Sequence, residues 1–133
     1  MSLSSIFRLF AAFGTLWAIQ LIVFPDMMFQ MYGWTDGNLM SSSVGLSLPL
    51  YSLAQAAGIA MLGLAILGLG IPNWTSAVQL KSAAKSFCLI TLLFTLLQLY
   101  QIFVSQSSPG STIDWISISI TALFMIGFFM KSR

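Results

Sequence analysis

The sequence predicts an all-α membrane protein: a four-helix transmembrane bundle forming one domain over residues 1–133, with both termini cytoplasmic and a short interfacial helix after the first span. Three observations carry this. First, 58% of the residues are hydrophobic and only 6% are charged, against about 25% charged in a soluble domain. So few charges cannot cover a water-facing surface. Second, four apolar segments each approach the roughly 20 helical residues needed to cross a hydrocarbon core of about 30 Å. Third, the charged residues segregate by sign along those segments.

The first span runs over about 6–24 and stops at Pro25. The second covers about 48–69 and ends in Gly70-Ile71-Pro72. The third covers about 86–104 and ends before the polar turn from Ser105 to Ser111. The fourth covers about 113–130. Lipid cannot satisfy exposed backbone groups, so single spans must be helices. Ile116-Ser117-Ile118-Ser119-Ile120 alternates like a strand. The length of that segment and the three helical segments before it outweigh this, and a closed barrel needs more turns than the chain holds.

Arg8 begins span one, Lys81 and Lys85 fall between spans two and three, and Lys131 and Arg133 follow span four. In a four-span chain these places share one side. Asp26, Asp36 and Asp114 fall on the other. The positive-inside rule then predicts cytoplasmic termini, or stromal or matrix ones in an organelle. The expected location is a bacterial inner membrane or an organellar membrane such as the thylakoid. Tyr32, Trp34, Tyr51, Tyr100 and Trp115 cluster at the outer ends of the spans, with Trp74 near the inner end, as headgroup-level rings do. Trp17 is the exception, near the middle of span one. Leu21-Ile22-Val23-Phe24 offers no small-residue cleavage site, so the first segment reads as an uncleaved helix.

In the outer segment 25–47, Pro25 suits a first helical position and Gly33 the residue past a helix end. The apolar stretch Asp26–Tyr32 reads as a short helix lying in the interface, with Trp34 beside it. Thr35-Asp36-Gly37-Asn38 reads as a turn. The two halves of the chain show no convincing self-similarity. Met27, Met28, Met31 and Met40 could offer thioethers to copper(I), but no His or Cys supports them on that side. Asn73-Trp74-Thr75 matches a glycosylation sequon on the cytoplasmic side, where it has no use.

Composition excludes several chemistries. Glu and His are absent and there is one Cys. An intrachain disulfide, CxxC redox chemistry, His-ligated haem and a Ser-His-Asp triad each lack a required group. Ion- and proton-coupled carriers place carboxylates or bases at the bilayer midplane. Here no charged residue lies away from the ends of a span: Arg8 is near one end of the first and Asp114 at the start of the fourth. No metal site is expected. The basic residues are scattered, so nucleic acid is not an expected partner.

The polar residues that remain are neutral. Ala84, Cys88, Thr91, Thr95 and Gln98 share one face of span three. Ala54, Gly58 and Ala65 form a small-residue stripe on span two, with Gln55 beside it. Gly14 and Ala18 stand four apart on span one, with Gln20 beyond them. Ser117 and Thr121 stand four apart on span four. The packing reading makes Gly14, Ala18, Ala54, Gly58, Thr91 and Thr95 helix-contact residues, since small residues let backbones approach and hydroxyls bond across the contact. The binding reading makes Gln55 and Gln98 contacts to a chlorophyll, carotenoid, quinone or lipid, whose pockets are apolar with few polar groups. Cys88 in an apolar span behaves as a small hydrophobe.

The pattern Trp17…Pro25…Tyr32-Gly33, followed by Gln55-Ala56-Ala57-Gly58-Ile59-Ala60-Met61-Leu62-Gly63, resembles small bacterial and algal four-helix proteins described as DoxX-like. The likeness covers about the first half of the chain. It implies the four-helix fold and carries no catalytic residue.

The expected function is that of a non-catalytic accessory subunit of a larger membrane complex, photosynthetic or respiratory, with other membrane subunits and the bilayer as partners. The alternative is a carrier or channel for small neutral or apolar molecules along Thr91, Thr95 and Gln98. An enzyme would have to rely on Asp26, Asp36 and Asp114, three isolated carboxylates expected to be solvated.

Overall fold

The computed structural model describes residues 1–31, 40–41, 45–46, 48–105 and 110–133, with side chains described for all of these except 40–41, 45–46 and 48–51. Tyr32, Gly33, Trp34, the turn at 35–38, Asp36 and residues 106–109 lie outside the described residues. The elements are α1 (Leu3–Val23), α2 (Pro25–Met31), β1 (Met40–Ser41), β2 (Gly45–Leu46), α3 (Leu48–Trp74), α4 (Ala77–Phe103) and α5 (Thr112–Ser132). The two short strands pair antiparallel, Met40 opposite Leu46. Among the described residues, four helices, α1, α3, α4 and α5, are long and apolar enough to cross a membrane. The chain therefore has the character of a multi-pass integral membrane protein.

The helix starts are chemically marked. Ser2 caps α1 by accepting from the Ser5 amide at 3.2 Å. Pro25 opens α2, where its missing N–H costs nothing. Ser76 and Gln79 form a reciprocal capping box at α4, as Ser111 and Asp114 do at α5. Gly110 turns the chain into α5 with φ +69°, a left-handed conformation that other residues adopt at a cost.

The structure corrects two boundaries. α3 does not stop at Gly70 but runs through Pro72 to Trp74. Pro72 falls in the last turn, where Asn73 Nδ2 donates to Leu69 O at 3.3 Å and the Thr75 hydroxyl to Ile71 O at 2.7 Å. These two side chains satisfy carbonyls of the last turn, which helix ends otherwise leave without partners. α4 begins at Ala77 rather than Ser86, because the Ser76–Gln79 box nucleates it earlier. Lys81 and Lys85 are therefore helical and not in a loop. The segment Ile116–Ile120 is helical, inside α5.

Packing divides the bundle into two pairs. α1 lies along α3, and α4 along α5. The first seam is made of small residues. Ala11 and Ala18 of α1 and Ala65 of α3 are fully buried, with Ala54 at 4% exposure. A methyl added at Gly14 would meet the Ala65 Cβ at 3.4 Å, and one added at Gly68 would meet Phe7 O at 3.4 Å. Positions 11, 14 and 18 on α1 and 58, 61, 65 and 68 on α3 follow the alternating three-four spacing that aligns one face of each helix. The second seam is polar, described below.

The pairs meet at one end. Ile6, Phe7 and Phe10 of α1, Ala84 and Phe87 of α4 and Phe128 of α5 form the buried cluster. The Phe7 ring centroid is 5.0 Å from that of Phe87 and 4.9 Å from that of Phe128. Such edge-on and tilted contacts suit the aromatic quadrupole. Gly127 of α5 leaves room for Ile6, whose Cδ1 is 3.4 Å from where a glycine Cβ would stand.

The charges map onto this architecture. Arg8, Lys81, Lys85, Lys131 and Arg133 all sit at the end closed by the phenylalanines. Lys81 Nζ donates to the Arg133 main-chain oxygen at 2.7 Å, tying the start of α4 to the end of α5. The Arg133 guanidinium lies 4.2 Å above the Phe129 ring. Lys81 sits near a helix N-terminus, where the helix dipole disfavours a cation. Asp26 and Asp114 sit at the other end.

Candidate functional site

Away from the phenylalanine cluster the two pairs separate, and two cavities open between them. The first has a volume of about 250 Å³ and is walled mainly by α1, α4 and α5. Phe13, Gln20, Ile120 and Phe124 are among its walls. The second, about 420 Å³, lies towards α2 and is walled by all five helices. Ala57, Ala60, Met61 and Leu64 present one face of α3 to it, and Leu97, Gln98 and Gln101 one face of α4. Trp17, Met61 and Phe94 contribute to both. Apolar walls with a few polar groups at one end are the usual make-up of a ligand site.

Gln20 of α1 apart, the polar groups near these cavities lie on α4 and α5, several of them in the seam between those helices. Gln98 Nε2 donates to Ser117 Oγ at 2.6 Å, and Gln98 Oε1 accepts from Thr121 Oγ1 at 3.2 Å. Thr95 Oγ1 lies 3.1 Å from Thr121 Oγ1 and 2.8 Å from Thr91 O. Thr91 turns its hydroxyl to Phe87 O at 2.8 Å. Thr91, Thr95 and Ser117 are buried. The Cys88 thiol is half-buried and donates to Met125 O at 3.6 Å. The ladder thus runs up one face of α4 from Thr91 to Gln98.

The residues singled out by sequence are distributed as follows. Gly14 and Ala18 lie on the α1 side of the first seam, and Ala54 and Gly58 on the α3 side. Gln55 also belongs there. Its Nε2 donates to Ile22 O at 3.2 Å, near the end of α1, and it lines neither of the two cavities described. Gln98 lines the larger cavity and Thr91 the smaller. Thr95 lines neither and stands in the α4–α5 seam. Among the described residues, no three His, Cys, Asp or Glu side chains come together as a metal site.

One residue is misread in the sequence. Asp114 is not a solvated carboxylate: it is 8% exposed. Its Oδ2 accepts from the Ser111 amide at 2.7 Å and from the Ser111 hydroxyl at 2.9 Å, and the residue lines the larger cavity. The Ser111-x-x-Asp114 spacing before an apolar run was the available signal. Met61, Phe94 and Gln101 carried no signal, because apolar residues cover every face of these helices. Trp17 did, through its anomalous mid-span position.

Replacing Gln98 by leucine removes two interhelical hydrogen bonds. Each such bond in a membrane averages about 0.6 kcal/mol, so the expected loss is about 1 kcal/mol of unfolding free energy. A denaturation series in detergent checks it, and Gln98→Glu provides the contrast of a buried charge. No family model, no curated protein and no solved structure matches this chain.

Proposed function

We propose that this chain is a non-catalytic accessory subunit of a larger membrane complex, oriented with its basic end in the cytoplasm. One observation supports this above all. The neutral polar side chains inside the bundle, Gln55, Thr91, Thr95, Gln98, Ser117 and Thr121, hydrogen-bond within or between its own helices. They hold helices in register and supply no general base of useful pKa. The outer faces carry large apolar side chains, among them Leu53, Ile59 and Ile66 on α3 and Leu89, Leu93 and Leu96 on α4. A bundle of this kind offers surface to lipid and to neighbouring subunits.

A carrier for small neutral molecules is the second reading, favoured by the cavities between the pairs. It requires a path through the whole bundle, and the cluster of Phe7, Phe10, Phe87 and Phe128 stands across that path at the basic end.

Purification from native membranes in mild detergent separates the two. The accessory reading predicts co-migration with a large assembly, whose other subunits mass spectrometry then names. A small homogeneous particle containing this chain alone would sink it and turn attention to transport assays.

A further inference from the structure

We propose that the larger cavity holds the hydroxyl head of an uncharged, single-chain lipid, with the chain lying against Trp17, Met61 and Phe94. This goes beyond the accessory-subunit reading and does not depend on it.

The volume and walls set the size and polarity of the occupant. About 420 Å³ between helices, walled largely by Trp, Phe, Leu, Met and Ala, suits a slender apolar molecule. The polar groups gather towards one side of the bundle: Gln98 and Gln101 near the end of α4, and Asp114 at the start of α5. An amide has two N–H donors and two acceptor sites, and the described bonds of Gln98 use one of each. The buried Asp114 carboxylate adds acceptor capacity. A ligand head that donates as well as accepts matches this set, and a hydroxyl does both.

The charge map excludes an anionic head. All five basic residues lie at the opposite end of the bundle, behind the phenylalanine cluster. The described acids, Asp26 and Asp114, lie at the cavity end. A fatty-acid carboxylate or a phosphate seated beside Asp114 would meet a like charge with every basic side chain at the far end, in surroundings that screen poorly. An uncharged alcohol carries no such penalty.

The test compares lipids that share a chain and differ in head. The purified protein in a non-ionic detergent is mixed at pH 8 with monoolein, oleate or oleoyl lysophosphatidylglycerol, and bound lipid is read by native mass spectrometry. The expected result is one monoolein per chain, with preference over either anion of about tenfold or more. In Ala60→Phe, whose added ring enters the cavity from α3, monoolein binding is lost while helicity and thermal stability are kept. Equal binding of the anions, or no monoolein bound to the native chain, overturns the proposal. So does undiminished binding by a folded Ala60→Phe. If that variant fails to fold, the head-group comparison on the native chain decides alone.

Discussion

Replacing Phe7 by alanine is expected to cost about 3–5 kcal/mol of unfolding free energy, the range for emptying a buried phenylalanine site. Phe7 has no exposed surface and touches the rings of both Phe87 and Phe128. It links α1 to both helices of the other pair. Burial against lipid-like surroundings drives little here, because lipid tails are as apolar as the core. The loss comes from dispersion contacts left without partners. Phe13, 46% exposed and touching only Phe124 among the ring contacts described, is the comparison site. Phe13→Ala should cost well under half as much. Reversible unfolding in mixed micelles measures both, and equal losses at the two positions would contradict the role given to the cluster.

Replacing Gly58 by isoleucine should disrupt the first seam. Even a single methyl there would stand 2.7 Å from Ile22 Cγ1, 3.0 Å from Leu21 Cβ and 3.1 Å from the Ala18 main-chain oxygen. The Ile22 side chain can rotate away, but the Ala18 backbone cannot move without moving α1. Overpacking of this kind costs about 1–3 kcal/mol, and the branched side chain puts Gly58→Ile at the upper end. At Gly63 on the same helix, an added methyl would meet no atom within 4 Å. Gly63→Ala should be neutral or stabilise by about 0.5–1 kcal/mol through the entropy of the unfolded chain. Thermal melts of the two variants in one detergent check the contrast. A stable Gly58→Ile would mean that α1 and α3 do not approach closely.

Span number and the separation of the described charges by sign between the two ends were legible because they depend on length, hydropathy and sign. The small residues of the first seam were legible for the same reason: Gly14, Ala18 and Gly58 recur at helical spacing among bulky neighbours. Helix ends were not, since hydropathy ends where polar residues begin, whereas α4 starts at its cap, several residues before its apolar stretch. Lys81 and Lys85 were misassigned by that rule, although the Ser76-x-x-Gln79 capping pattern was present to be read. The cavity could not be foreseen. It arises because, among the described residues, the ring contacts between the pairs lie in the half of the bundle towards the basic end, and no periodicity distinguishes Phe87 from Phe94 when lipid and core are equally apolar.

The central claim is that, among the described residues, the helix pairs meet through the phenylalanine cluster towards the basic end and leave cavities between them towards the acidic end. Pulsed electron–electron distance measurement between spin labels tests this directly. α1 and α4 run in the same direction, so labels at Arg8 and Lys85 report the basic end, and labels at Val23 and Tyr100 the other, in a Cys88→Ser background. All four positions are exposed. The expected result is a short, narrow distance at the basic end and a clearly longer, broader one at the acidic end. Equal distances at the two ends would contradict the claim, because parallel pairs leave no cavity between them.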